Sequence, residues 1–201
     1  MARRSEHSQT EIKEMVLEAA EDIVREYGYS ALKVRKIAAD IGYTVGSIYM
    51  VFTNMNDLIM HIKARTWQKL HQHLQEQQKT RGTVQGLALG YLEFAVENEG
   101  LWRMLFEHQV ALGERTPDWY LQDNQRVFEL MYAMLKQHDQ LHADDQLQLA
   151  TQALMNSVQG IAMQLLMLNQ SPETIKLAKA EIVLLVECFL QGWNNVIKGQ
   201  K

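Results

Sequence analysis

The 201-residue sequence predicts an all-α protein: a three-helix helix-turn-helix head followed by a six-helix body. The chain has only two prolines and is dense in Ala, Leu, Met, Glu and Gln, the residues that favour helix. Apolar residues recur at three- and four-residue spacing, and no run shows the period-two alternation of a half-buried strand. Helix start and stop signals, placed below, divide the chain into nine segments.

The first helix is expected over about Thr10–Tyr27, with Ile12, Met15, Val16, Ala19, Ala20, Ile23 and Val24 on one face. Thr10 with Lys13 forms no capping box, although Glu11 and Glu14 suit the N-terminal dipole. Gly28 stops this helix. Lys33–Phe52, KVRKIAADIGYTVGSIYMVF, then reads as two short helices joined by a tight turn. Ile37, Ala38 and Ile41 bury one face of the first while Lys33, Arg35 and Lys36 stay in water. Gly42 can adopt the left-handed conformation that closes a helix. Thr44 is an N-cap, and Val45, Gly46, Ser47 and Tyr49 make a slim second helix that would fit a major groove. Phe52 closes the head.

Asn54 caps a fourth helix from Met55 to about Gln78, apolar at its start and polar at its end. Thr83–Asn98 and Leu101–Leu112 follow, separated by a break at Glu99-Gly100. Pro117 opens a helix running to Gln140, and Asp144 or Asp145 opens another reaching Asn169. Ser171-Pro172-Glu173 starts the last, which ends near Gly199. The division into domains falls at residues 1–53 for the helix-turn-helix head and 54–201 for the larger helical body.

Net charge is −4, which argues against a basic, sequence-blind coat for DNA. Residues 1–66 hold nine Lys or Arg against nine Asp or Glu, and the rest hold eleven against fifteen. Any attraction for phosphate must therefore come from local clustering, at Arg3 and Arg4 and at Lys33, Arg35 and Lys36. The single cysteine, Cys188, excludes an internal disulfide and is expected as a buried, inert thiol in the apolar run 182–190. No signal peptide and no membrane span are read, so a cytoplasmic protein without membrane partners is expected.

Gly28, Ile37-Ala38, Gly42, Gly46, Tyr49, Phe52 and Leu58 together resemble the N-terminal signature of the tetracycline-repressor-type (TetR) transcriptional regulators, over about residues 10–62. The resemblance implies a homodimer whose heads occupy successive major grooves of a near-palindromic double-stranded DNA operator. It assigns Tyr49 to a phosphate, Thr44, Val45 and Ser47 to bases or adjacent phosphates, and Tyr43 to their flank. Gly46 would permit close approach to the DNA backbone, and Val45 could touch a thymine methyl. Lys33 and Arg35 complete the expected contacts. Three positions depart from the pattern: Lys33 replaces a usual hydroxyl residue, Val51 a usual histidine and Met55 a usual lysine. Two phosphate donors are thereby lost, which implies a shallow salt dependence. Gly90–Glu107 also resembles the early body segment of a subgroup named for a Trp-His-Gly element, where this chain has Met155, Gln159 and Gly160.

In such regulators the body commonly holds a small effector, here expected to be largely apolar. Trp102, Phe106, Phe128, Met131, Tyr132, Met155 and Met163 are the pocket candidates, being aromatic or flexible enough to line an adaptable cavity. Ordinary core packing is the alternative role for each. The resemblance also pairs the last two helices with their dimer copies, with Val158, Ile161, Leu165, Val186, Phe189 and Trp193 as candidate interface residues and Gly160 and Ala162 allowing close approach. His71 and His73 point about 200° apart on a helix, and His138 and His142 lack further ligands, so no metal or other cofactor is expected. No phosphate loop, nucleophile elbow or convergent carboxylate pair is present, so no catalytic residue is named. The function predicted is that of a ligand-responsive DNA-binding repressor. The rival is an all-α small-molecule carrier or scaffold that has lost DNA binding.

Overall fold

The computed structural model describes residues 7–110, 115–139, 142–168 and 170–196. Among these are nine α-helices, a single 3-10 turn at Tyr29–Ala31, and no strand. The helices are α1 (Gln9–Tyr27), α2 (Val34–Asp40), α3 (Val45–Tyr49), α4 (Met55–Arg81), α5 (Val84–Glu97), α6 (Glu99–Glu107), α7 (Asp118–His138), α8 (Asp144–Met167) and α9 (Pro172–Val196). They form two compact units, Met1–Thr66 with Asn98–Leu121, and Trp67–Glu97 with Gln122–Lys201. The helix α4 contributes its first turns to one unit and the remainder to the other.

At α1, α4, α5 and α9 a side chain caps the helix start. Ser8 and Glu11 form a full capping box: the Ser8 hydroxyl accepts from the Glu11 N–H, and the Glu11 carboxylate accepts from the Ser8 N–H at 2.6 Å. The helix therefore begins at Gln9, one residue before the expected Thr10. At α4, Asn54 Oδ1 accepts from the Asp57 N–H at 2.9 Å. At α5, Thr83 Oγ1 accepts from the Gly86 N–H at 3.0 Å, and at α9 Ser171 Oγ accepts from the Thr174 N–H at 3.2 Å. Gly28, at φ +77°, ends α1 in backbone geometry that a side chain disfavours.

In the first unit, α1, α2, α3, the start of α4 and α6 share one core, including Val16, Ala20, Val24, Ile37, Ile48, Phe52, Ile62 and Leu101. Here α6 departs from expectation. It ends at Glu107, so the run to Leu112 does not form, and Leu112 itself lies outside the described residues. Glu99 and Gly100, expected as a break, form the first turn of α6. A Cβ on Gly100 would stand 2.2 Å from the Val24 carbonyl oxygen. The glycine is therefore there to let α6 lie against the α1 backbone.

In the second unit α5, α8 and α9 pack on one another. Leu92, Leu154, Val158, Ala162, Leu165, Ile182 and Val186 are buried there. Glu93 on α5 bridges Arg81 at 3.2 Å and Lys179 at 3.0 Å, joining the end of α4 and the start of α9. Cys188 is exposed, which corrects the expected burial. It lies about 200° around α9 from Val186, on the side turned from the core. Arg3, Arg4 and the helix ends at Gln140, Asn169 and Gly199 lie outside the described residues.

Candidate nucleic-acid interface

The turn between α2 and α3 is closed by backbone geometry that depends on Gly42. The Tyr43 N–H donates to the Ala38 carbonyl at 2.9 Å, and the Gly42 N–H donates to Ala39 at 3.2 Å. This pair of bonds is the Schellman closure, and it places Gly42 at φ +71°. Thr44 then starts α3: its Oγ1 accepts from the Ser47 N–H at 3.1 Å and lies 2.9 Å from Ser47 Oγ.

Ile48 is wholly buried and Phe52 nearly so, which fixes α3 against the head core. Burying a side chain of this size stabilises by about 1.5–3 kcal/mol. The rest of the five-residue helix turns outward. Thr44, Gly46 and Tyr49 are exposed, while Tyr43, Val45 and Ser47 are half-buried. Tyr43 is held from the N-terminal side, its hydroxyl 2.7 Å from His7 Nδ1. A Cβ on Gly46 would meet only Thr44 Oγ1, at an ordinary 3.6 Å. Nothing inside the chain requires glycine there, although glycine in a helix costs about 1 kcal/mol against alanine.

The charges of the first unit narrow which cations face outward together. Lys63 is buried on α4, where its Nζ donates to the His108 carbonyl at 3.0 Å and lies 5.4 Å from the Tyr120 ring centre. Burial pushes its ammonium down to about 8. Arg65 binds Glu14 at 2.8 Å and Glu21 at 2.9 Å, and Arg25 binds Asp22 and Glu21. Lys13 donates to His61 Nε2, and Lys36 lies over the Tyr27 ring at 3.6 Å. Lys33 and Arg35, at the start of α2, are exposed and have no acidic neighbour within their own cleft. That open cleft, of about 580 Å³, lies among the 3-10 turn, α2 and the start of α4. A second open cleft, of about 590 Å³ between α1 and α2, is lined by Glu18, Asp22, Glu26 and Asp40 against a single cation, Lys36. That side would repel a polyanion.

Val51 and Met55, the two apolar departures from the family pattern, are half-buried and packed against the head core. The pocket candidates do not all fall in one unit. Trp102, fully buried, and Phe106, 4.7 Å from it between ring centres, belong to the first. Phe128, Met131, Tyr132, Met155 and Met163 belong to the second. There Phe128 stacks on Tyr132 at 6.2 Å, and the Tyr132 hydroxyl donates to Asp144.

The candidate dimer residues divide between the core of their own unit and its half-buried margin. Val158, Leu165 and Val186 are buried in the core of their own unit. Ile161, Phe189 and Trp193 are half-buried, with Trp193 stacked on His142 at 3.8 Å and its Nε1 donating to Asp139 at 2.6 Å. The apolar side chains left in water lie on the other side of each helix: Leu149 and Met167 on α8, Leu177 and Leu184 on α9. Ala162 is buried within the unit, whereas a Cβ on Gly160 would meet nothing within 4 Å.

Residues 16–62 match the family described as bacterial regulatory proteins, tetR family, and residues 84–171 match the tetracyclin repressor-like C-terminal domain. No curated protein matches the sequence. Among solved structures, a protein of unknown function from Rhodococcus sp. RHA1 is similar at TM-score 0.69 and 16% identity, over 90% of this chain and 97% of that one. The TetR family transcriptional regulator PfmR from Thermus thermophilus is similar at 0.60 and 16% identity, over 86% and 97%. The transcriptional regulator FadR from Bacillus subtilis, solved with stearoyl-CoA, is similar at 0.62 and 18% identity, over 86% and 97%. At these identities the likeness concerns the fold.

Proposed function

The chain belongs to the TetR family of bacterial regulatory proteins, and from that premise we propose how it regulates: as a homodimeric repressor released from a near-palindromic operator by a small effector. The observation that carries the DNA reading is Gly46. A helical glycine where a Cβ would fit at ordinary contact distance, next to exposed Thr44 and Tyr49, suits a surface that another backbone approaches closely. Lys33 and Arg35 supply charge to phosphates, and Tyr49 a phosphate hydrogen bond. Thr44, Val45 and Ser47 meet base edges or neighbouring phosphates, with Tyr43 at their flank. The acidic cleft between α1 and α2 favours the same orientation by repulsion.

In this reading residues 1–53 read DNA, and residues 54–201 bind effector and dimerise. Two copies meet through the outward faces of α8 and α9, where Leu149, Met167, Leu177 and Leu184 leave apolar surface in water. A largely apolar effector is supported by the aromatic and methionine side chains of α7 and α8, and by the stearoyl-CoA that the Bacillus neighbour carries. Its binding shifts α4 and changes the spacing of the two heads, which must match one turn of DNA, about 34 Å. The work is binding alone, and no catalytic role is assigned. No helix among the described residues is long and apolar enough to cross a membrane, and a cytoplasmic location fits that composition.

Selection of bound fragments from a random DNA pool tests the reading. A recovered sequence with two inverted half-sites about one helical turn apart supports it. Recovery of nothing at low salt favours the small-molecule carrier instead.

A further inference from the structure

Lys33 and Met55, two of the positions that depart from the family pattern, both line the 580 Å³ cleft on the head. Its floor is apolar, made by Leu32, Val34, Met55 and Ile59. Its two charged lining residues are Lys33 and Arg35, both exposed, and no carboxylate lines it. The volume lies within the roughly 300–1,000 Å³ typical of small-molecule sites. A lysine at position 33 adds a cation beside that floor, and a methionine at position 55 gives it a flexible apolar side chain.

We propose that this cleft binds a small amphipathic organic anion, an aryl- or alkyl-carboxylate, whose apolar tail covers Met55 and Ile59 and whose carboxylate meets Lys33 and Arg35. A neutral apolar molecule leaves both cations without a counter-charge, and an inorganic anion leaves the floor in water. Only a ligand with both parts satisfies the cleft. The site is separate from an effector pocket in the body. Binding does not depend on the operator reading. One consequence rests on that reading: Lys33 cannot serve the carboxylate and a DNA phosphate together, so ligand and operator compete.

The test uses the full chain with ¹³C-methyl-labelled methionine and 4-phenylbutyrate as probe. The Met55 resonance is identified by its loss in Met55→Leu. A saturable shift of that resonance is expected. Joint Lys33→Ala and Arg35→Ala replacement, at exposed positions that leave the core intact, should weaken binding about tenfold or more. The uncharged analogue 4-phenylbutanol should bind comparably weakly. An unmoved Met55 resonance, shifts confined to Met155 and Met163, or equal affinity for acid and alcohol would each overturn the site. Operator DNA should raise the apparent dissociation constant of the probe. If the site fills but operator leaves that constant unchanged, the overlap with the DNA face is overturned while the cleft stands.

Discussion

Gly46 and Gly42 sit four residues apart and do different work. Gly42 is required by backbone geometry, at φ +71° inside a Schellman closure, so any side chain there is strained. Gly46 is required by nothing inside the protein. Gly46→Ala should accordingly stabilise the head by up to about 1 kcal/mol, read by thermal denaturation, while weakening operator binding at least about tenfold. A variant that is both more stable and equally tight on DNA would remove Gly46 from the interface. Gly42 was legible as a helix stop from its place after an apolar run. The Ser8–Glu11 capping box was equally legible, since Ser-x-x-Glu is its signature, yet Thr10 drew the boundary one residue late. The burial of Lys63 was not legible. Its neighbours in sequence fit a half-wet helix face, and the groups that meet the ammonium, the His108 carbonyl and the Tyr120 ring, stand far along the chain.

Helix starts were read more closely than helix ends, because caps are local and ends are decided by what the helix meets. Asn54, Thr83 and Ser171 announce their helices through side-chain oxygens that accept backbone N–H groups. The stop of α6 at Glu107 has no such sign; its last turn closes as the His108 N–H donates to Met104. Gly100 reads as a break because glycine often marks one. Its function is to let α6 approach the Val24 carbonyl, a tertiary fact that periodicity does not contain. Gly100→Ala should cost about 2 kcal/mol by overpacking, lowering Tm by roughly 4–8 °C. An unchanged Tm would mean that α6 does not lie on α1 in solution. Lys63 gives α4 a pH signature. Its folded value of about 8 lies below the ordinary 10.5, so the unfolded chain holds the extra proton between those values. The contribution of Lys63 to stability therefore rises as pH goes from 8 to 10.5 and is flat below 8. Lys63→Met removes that rise. The Tm difference between wild type and variant should shift in favour of the wild type across that window, and a constant difference would place the ammonium in water.

For the molecule as a whole, fold class and helix order were readable because amphipathic spacing repeats through nine segments. The faces of α8 and α9 were not. Both helices are apolar on more than one side, and spacing alone does not tell a core face from a face left for a second copy. Val158, Leu165 and Val186 proved to be core, whereas Leu177 and Leu184 stand in water. Leu184→Glu should leave the fold intact and convert dimer to monomer in sedimentation at micromolar concentration; a persistent dimer would move the interface elsewhere. The grip of the head on DNA through α3 and the start of α2 is measured by fluorescence anisotropy on the operator recovered by selection. Tyr49→Phe and Lys33→Ala should each weaken binding by about 1–3 kcal/mol, and Lys33→Ala should also flatten the salt dependence by about one phosphate contact per head. Unchanged affinity and salt slope in both variants would mean that this face does not hold DNA.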